Sequence, residues 1–257
     1  MTAPIFPYPG DKRRLAKKML PLFPKHTCYL EAFVGAGAIL LAKEPSKTEV
    51  MNDLNGELIN FFRMVRHHPK ALNDELKWML PSRMDFEQSK AVNPESLTEL
   101  QRAARFLFLQ KLAFGGRVKG RNYGNIHTTK ASRFNPHELW DGIKDIHRRL
   151  GSVQIENLPW REAIERYDRN YTVIYADPPY LGFNDYSHNF TIKDYEELAD
   201  VAKSIEGTIF ISHKEHPEIR KLFRAMDVRE FPFDYSFQKG ERKKVVELVF
   251  CNREIPQ

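Results

Sequence analysis

The sequence predicts an α/β fold, a parallel sheet flanked by helices and interrupted by a mainly helical insert. Three observations carry this. A strand-turn-helix-strand opening lies between Tyr29 and Asn52, the unit from which parallel sheets are built. The same alternation returns after residue 142, with β-prone runs at Val153–Glu156, Thr172–Ala176 and Thr208–Ser212. Between them, residues 67–142 are helical in pattern and include a Gly/Asn/Arg-rich loop. The chain therefore divides into a discontinuous domain, 1–66 and 143–257, and an insert at 67–142.

In chain order, a basic amphipathic helix is expected over Arg13–Leu22, closed by Pro24. A strand at Tyr29–Phe33 runs into a Gly-Ala-Gly turn and a helix near Ala38–Lys43, followed by a strand at Glu49–Asn52 and a helix at Glu57–Arg66. In the insert, Leu97–Ala113 reads as a helix, and Phe106, Leu107, Leu109, Leu112 and Phe114 as the insert's own core. Helices at Asp194–Ile205 and Pro217–Met226 and a final strand at Val245–Cys251 complete the pattern.

Hydrophobic residues make up 42% of the 257 positions and aromatics 12%, enough to bury a core and to exclude global disorder. The formal net charge of +6 favours an anionic partner. Cys28 and Cys251 are too few for a disulfide framework or a zinc site and read as small buried hydrophobes. His213 and His216 have no third ligand pattern beside them, so no metal is expected. The N-terminus has no apolar signal region, and the most apolar window, Tyr29–Ala42, is too short to span a bilayer. A cytoplasmic protein is expected, with no membrane association and no obligate protein partner in evidence.

The first strand leads into Phe33-Val34-Gly35-Ala36-Gly37. Gly35 and Gly37 allow a tight turn and close approach of a ligand to the backbone. Leu40 stands where a dinucleotide fingerprint requires a third small residue, which disfavours a nicotinamide cofactor and leaves a nucleoside ligand without phosphates. Asp53 ends the second strand close to the interval of about 20 residues at which an acid grips ribose hydroxyls. It is also placed to cap the next helix, as is Asn55.

Asp177-Pro178-Pro179-Tyr180 follows the run Thr172–Ala176, and ligands in open α/β sheets bind at such strand ends. The prolines stiffen the loop. Together the four residues suit a poor nucleophile such as the exocyclic amino group of adenine. Asp177 and the carbonyl of Pro178 can both accept its N–H bonds, positioning the nitrogen and stabilising positive charge as a methyl group arrives. Tyr180 can stack on a base that has left its helix. The other reading is a Pro-Pro turn with Asp177 as a cap.

With these motifs in place the sequence resembles the Dam-like, or D12 class, family of DNA adenine-N6 methyltransferases. Tyr8-Pro9-Gly10-Asp11-Lys12 is similar to the family's N-terminal cofactor motif, with Asp11 in place of its second glycine. Glu31–Gly37 resembles its glycine motif, Asn52-Asp53-Leu54-Asn55 its ribose-binding acid, and Asp177–Tyr180 is identical to its catalytic motif. Ile211-Ser212-His213 and Arg242–Leu248 are similar to C-terminal segments of these enzymes. The resemblance implies a Rossmann-like S-adenosylmethionine-dependent methyltransferase sheet with an inserted target-recognition domain. It implies cofactor contacts at Tyr8, Lys12, Phe33, Gly35, Gly37, Asp53 and Asp177, with Asn157 and Leu158 bordering the cofactor's adenine. Catalysis would fall to Asp177, Pro178, Pro179 and Tyr180.

The insert carries the independent evidence for double-stranded DNA. From Leu100 to His137 there is no Asp or Glu, while Arg102, Arg105, Lys111, Arg117, Lys119, Arg121, Lys130 and Arg133 contribute +8. Such a patch neutralises phosphates. Arg117, Lys119, Arg121, Asn122, Tyr123, Asn125, Lys130 and Arg133 are the expected DNA contacts, with Arg and Asn suited to base edges and Tyr123 to wedging or stacking. A solvated basic face is the simpler alternative. An RNA adenine methyltransferase, or a non-catalytic DNA-binding protein on the same scaffold, are the competing functions.

Overall fold

The computed structural model describes residues 2–124, 131–183, 189–236 and 242–255. The order begins with α1 (Arg13–Met19), β1 (Cys28–Glu31), α2 (Ala38–Ala42), β2 (Thr48–Asn52) and α3 (Gly56–His67). The insert follows with α4 (Pro69–Leu76), α5 (Arg83–Ala91), α6 (Glu99–Leu112) and α7 (Pro136–Arg149). The second half contributes β3 (Val153–Glu156), α8 (Trp160–Tyr167), β4 (Thr172–Ala176), α9 (Ile192–Ser204), β5 (Thr208–Lys214), α10 (Pro217–Leu222), β6 (Asp227–Ser236) and β7 (Arg242–Cys251).

The strands form one seven-stranded sheet in the order β3-β2-β1-β4-β5-β7-β6. The first five are parallel, in the Rossmann order, and β7 runs antiparallel between β5 and β6. Every residue of β1 and β4 is buried, as expected for central strands covered by helices on both faces. The chain moves from β1 to β2 on one side and returns to β4 on the other. That switch opens a crevice at the carboxyl ends of β1 and β4, where such sheets bind ligands. The register pairs Glu31 with Tyr175, so Asp177 emerges beside the glycine turn.

Helix ends follow local chemistry. Asn55 caps α3, its side-chain oxygen accepting from Glu57 N at 3.1 Å and Leu58 N at 3.4 Å. Thr98 and Gln101 form a capping box on α6. Both cysteines are free and buried. Among the described residues no helix is long and apolar enough to cross a membrane.

Two expectations about the insert change. Its anticipated boundary between residues 142 and 143 falls inside α7, which runs unbroken to Arg149. Its anticipated separate core is continuous with that of the sheet: Phe106 packs against Phe61 of α3 at 5.8 Å and Phe6 at 5.6 Å, while Phe114 is 60% exposed. The reason is that α3 buries residues all round, including Phe61, Phe62 and Met64, and so needs apolar cover on the side away from the sheet. α6 supplies it. Asn60 to the Glu99 carbonyl (2.8 Å) and Arg102 to Glu57 join the same two helices.

Candidate active site

The glycine turn is shaped from three sides. Gly35 and Gly37 have φ of +49° and +75°, where a side chain is strained. A Cβ on Gly35 would also lie 3.1 Å from the Tyr8 ring. Val34 N donates to the Asn52 carbonyl at 2.8 Å, and Gly35 N to Asp53 Oδ2 at 3.0 Å. Because Asn55 takes the capping role, the Asp53 carboxylate is left in the cavity wall, accepting also from Asn55 N at 2.9 Å. Tyr8 donates or accepts as a neutral phenol, since burial and then the nearby Asp53 charge push its pKa far up.

Beyond the turn lies a cavity of about 360 Å³. Tyr8, Lys12, Phe33, Gly35, Asp53 and Asp177 from the expected set all line it. Gly37 does not, and acts instead as the left-handed residue that starts α2. One wall is an aromatic slot: Phe33 stacks on Trp160 at 6.4 Å and 27°, and Phe190 meets both at 5.6 and 5.9 Å. Asn157 and Leu158, expected at this wall, are turned to other work. Asn157 Nδ2 donates to the Asp53 carbonyl at 2.7 Å, and the Leu158 backbone exchanges two bonds with the Asn52 side chain at 2.9 and 3.1 Å. They fasten the end of β3 to β2, and the lining passes to Pro159 and Trp160. Trp160 was missed, and an aromatic just past a core strand is the signal that could have found it. Phe190 carried none, because its place depends on where α9 packs.

Asp177 is held by two donors. Ser212 Oγ reaches its Oδ1 at 2.8 Å, and Lys12 Nζ its Oδ2 at 2.9 Å. Tyr175 Oη lies 2.7 Å from the same Ser212 oxygen. Burial raises the Asp177 pKa to about 6, with Lys12 opposing and a second carboxylate, Glu247, reinforcing the rise. Glu31 is buried beside it, taking Leu40 N at 2.8 Å and Tyr29 Oη at 3.1 Å, and burial lifts its pKa to about 8. Lys12 also donates to Tyr180 Oη at 2.6 Å and to the Gly10 carbonyl at 2.9 Å. Its ammonium therefore sits among the side chains of the Asp177–Tyr180 loop. The Pro179 carbonyl accepts from Tyr195 Oη at 3.0 Å. Among the described residues the Pro178 carbonyl has no donor.

Tyr180 does not line the cavity. Its hydroxyl lies 2.7 and 2.9 Å from the two oxygens of Glu247, and its ring 4.6 Å from His213. His213 Nε2 accepts from Leu181 N at 3.2 Å while Nδ1 faces the Lys214 carbonyl. Burial lowers its pKa to about 4, so the imidazole is neutral and serves the loop. Glu247 and Ser212 came to notice in the sequence only as parts of similar segments, and His213 besides only as half of a rejected metal pair, because their roles arise from strands paired across the sheet.

The family model for D12 class N6 adenine-specific DNA methyltransferases matches residues 8–238. The chain belongs to that family. Among its relatives, the type II methyltransferase M1.LlaDCHI of Lactococcus lactis subsp. cremoris is 25% identical, with 97% of this chain and 95% of the relative aligned. The DNA adenine methylase of Haemophilus influenzae is 26% identical over 96% of this chain and 92% of its own length. That of Vibrio cholerae is 24% identical over 93% and 92%.

In this methyltransferase the expected DNA residues separate by location. Arg117, Lys119, Asn122 and Arg133 are exposed; Asn125 and Lys130 lie outside the described residues. A bridge between Ala113 and Tyr123, with Phe114 N donating to the Asn122 carbonyl at 2.8 Å, closes the loop that carries Arg117 and Lys119. Tyr123 is no free wedge: its hydroxyl donates to the Pro81 carbonyl at 2.9 Å, its ring meets Phe86, and Arg83 lies over it at 4.9 Å. Arg121 turns inward to Gln110 Oε1 at 3.0 Å and lies against Phe106, and burial lowers its pKa to about 10. Both close the loop's base, where apolar cover from α5 and α6 outweighs exposure.

Substituting Arg117 and Lys119 together by alanine is therefore expected to weaken DNA binding and to flatten its log–log salt dependence by roughly two units. Arg121→Ala should instead lower stability. Titrations of duplex DNA at several salt concentrations check this, and an unchanged slope for the double variant would move the DNA face elsewhere.

Proposed function

We propose that the chain transfers a methyl group from S-adenosylmethionine to N6 of an adenine flipped out of double-stranded DNA at a specific sequence. Membership of the family carries the adenine-methylating class. The observation that supports the finer reading is that Asp177 both lines the nucleoside-type pocket and opens the Asp177–Tyr180 loop.

The residues present fit the cofactor. The aromatic slot suits a purine, Asp53 presents a carboxylate to the cavity as ribose hydroxyls require, and Gly35 leaves backbone room that a Cβ would close. Asp177, raised only to about 6 and so ionised at neutral pH, gives the cavity a negative charge that favours a cation. When bound, S-adenosylmethionine supplies an electrophilic methyl group carried on a sulfonium.

The chain's own residues do the rest. Asp177 and the Pro178 carbonyl each accept one N–H of the target amine, which aims its lone pair and stabilises the positive charge that develops. Lys12 and Ser212 hold the carboxylate in place. A carboxylate with a pKa near 6 is ionised at neutral pH yet is a better resting place than an ordinary one for the proton that the methylated nitrogen must lose. Turnover is therefore expected to fall as the pH drops through about 6, as Asp177 protonates and loses its acceptor. A kcat profile flat down to pH 4.5 would contradict that role.

The test is transfer of labelled methyl groups to methyl-free duplex DNA, with single-stranded DNA and RNA alongside, followed by digestion to nucleosides. N6-methyladenine from the duplex supports the reading; product from RNA alone would replace it.

A further inference from the structure

We propose that Glu247 is a positioning residue of the transfer reaction, its carboxylate fixing the Tyr180 hydroxyl and with it the ring on which the target adenine stacks. This rests on the reading of Tyr180 as the base platform.

Glu247 stands in β7, opposite Lys214 of β5 and Phe231 of β6, and is 6% exposed. It does not line the cofactor cavity. A buried carboxylate is tolerated only where donors meet it, and those shown here both belong to the catalytic centre. Tyr180 Oη is within hydrogen-bond reach of both its oxygens, and Lys12 Nζ lies 3.9 Å from Oε1. The hydroxyl thus gives its proton to Glu247 and takes a bond from Lys12 at 2.6 Å. These two bonds fix the far end of the ring axis.

The ring plane is set separately. His213 lies at 4.6 Å from the ring, Lys12 Nζ stands 4.7 Å from its centre, and Phe183 meets it edge-on at 6.2 Å. A platform held at its hydroxyl and its plane loses little further freedom when a base arrives. Glu247 also draws Lys12 between two carboxylates, Asp177 and itself, so the ammonium is shared rather than committed to the catalytic acid.

The experiment compares Glu247→Gln, Tyr180→Phe and the double variant for kcat and KM on methyl-free duplex DNA, with cofactor affinity measured by calorimetry. Glu247→Gln keeps the volume and one acceptor, so folding and cofactor binding should persist. Its kcat/KM for DNA should fall about ten- to a hundredfold, the size of a lost charge-assisted bond. Tyr180→Phe should lose a similar factor, and the double variant no more than the worse single one.

A second readout is the acid limb of the kcat profile. Asp177 faces Lys12, Glu247 and Glu31, and removing the Glu247 charge should move that limb to lower pH. That shift reads the Glu247 charge beside Asp177, whereas the non-additivity of the double variant reads the positioning of Tyr180. Losses that multiply in the double variant, or an unchanged kcat/KM in either single variant, would overturn the proposal while wild-type transfer to DNA stands. Absence of transfer by the wild type would instead overturn the reading on which it rests. If Glu247→Gln does not fold, Tyr180→Phe alone decides, since wild-type kcat/KM without the hydroxyl leaves nothing for Glu247 to position.

Discussion

Asp177→Ala should abolish methyl transfer, with a loss of at least about 10²–10³-fold, while the protein melts no lower than the wild type. The kinetic part follows, on the proposed mechanism, from removing the ionised acceptor at the reacting nitrogen, since a single preorganised electrostatic group is commonly worth that much. The Pro178 carbonyl would remain but cannot supply charge. The stability part follows from the raised pKa of about 6. A carboxyl whose folded value lies above its unfolded one stabilises the fold only while protonated, and that contribution is lost as pH rises through about 6. At neutral pH the ionised Asp177 therefore opposes folding, as functional groups often do. Its removal leaves Lys12 with the Tyr180 hydroxyl and Glu247. Labelled-methyl assays and thermal melts on the same preparation check both parts. Transfer within tenfold of wild type would remove Asp177 from the chemistry, and a clearly lower melting temperature would mean that its pairing with Lys12 outweighs its burial.

Glu49→Ala should have the opposite character, large in stability and small in chemistry. Glu49 lies near the start of β2, away from the ligand-binding end of the sheet, and is 1% exposed. Arg149 meets it through two bonds at 2.5 and 2.9 Å, Lys43 reaches it at 3.1 Å, and Arg149 also donates to the Leu40 carbonyl at 2.7 Å. One carboxylate thus ties α2, β2 and the end of α7 together. Removing it leaves two buried cations facing each other, a loss of about 3–5 kcal/mol. Burial pushes the Glu49 pKa up, but Arg149 and Lys43 prevail and hold it below the usual value. Its contribution is therefore present above the ordinary carboxylate range and lost as pH falls through the folded value. Urea melts should show the gap between wild type and variant narrowing in acid. A gap under about 1 kcal/mol at neutral pH would class the cluster with exposed pairs.

Local pattern was enough for much of the fold. Val153–Glu156 and Thr172–Ala176 form strands over the very residues expected, because buried parallel strands read as short unbroken β-prone runs. β6 was not seen: its sequence, Asp227-Val228-Arg229-Glu230, has the charge of a surface segment, and it becomes a strand by pairing along β7. α8 was missed as well, its Trp160 and Arg161 giving little helical signal before the apolar Ala163 and Ile164.

The sequence by itself determined the order of the chemistry: the Gly35–Gly37 turn, Asp53 after the second strand, and the Asp177–Tyr180 loop. Each is a short motif whose residue types are dictated by backbone conformation or by the group it must contact. Only the tertiary structure decided which side chains share a space. It put Lys12 against Asp177, Trp160 rather than Asn157 and Leu158 at the cavity wall, Glu247 behind Tyr180, and Arg121 and Tyr123 inside the insert. A charge or a ring is equally consistent with solvent, ligand or core in one dimension. Which of these it meets depends on strand register and helix packing between residues as far apart as Lys12 and Glu247, and no local pattern encodes that distance.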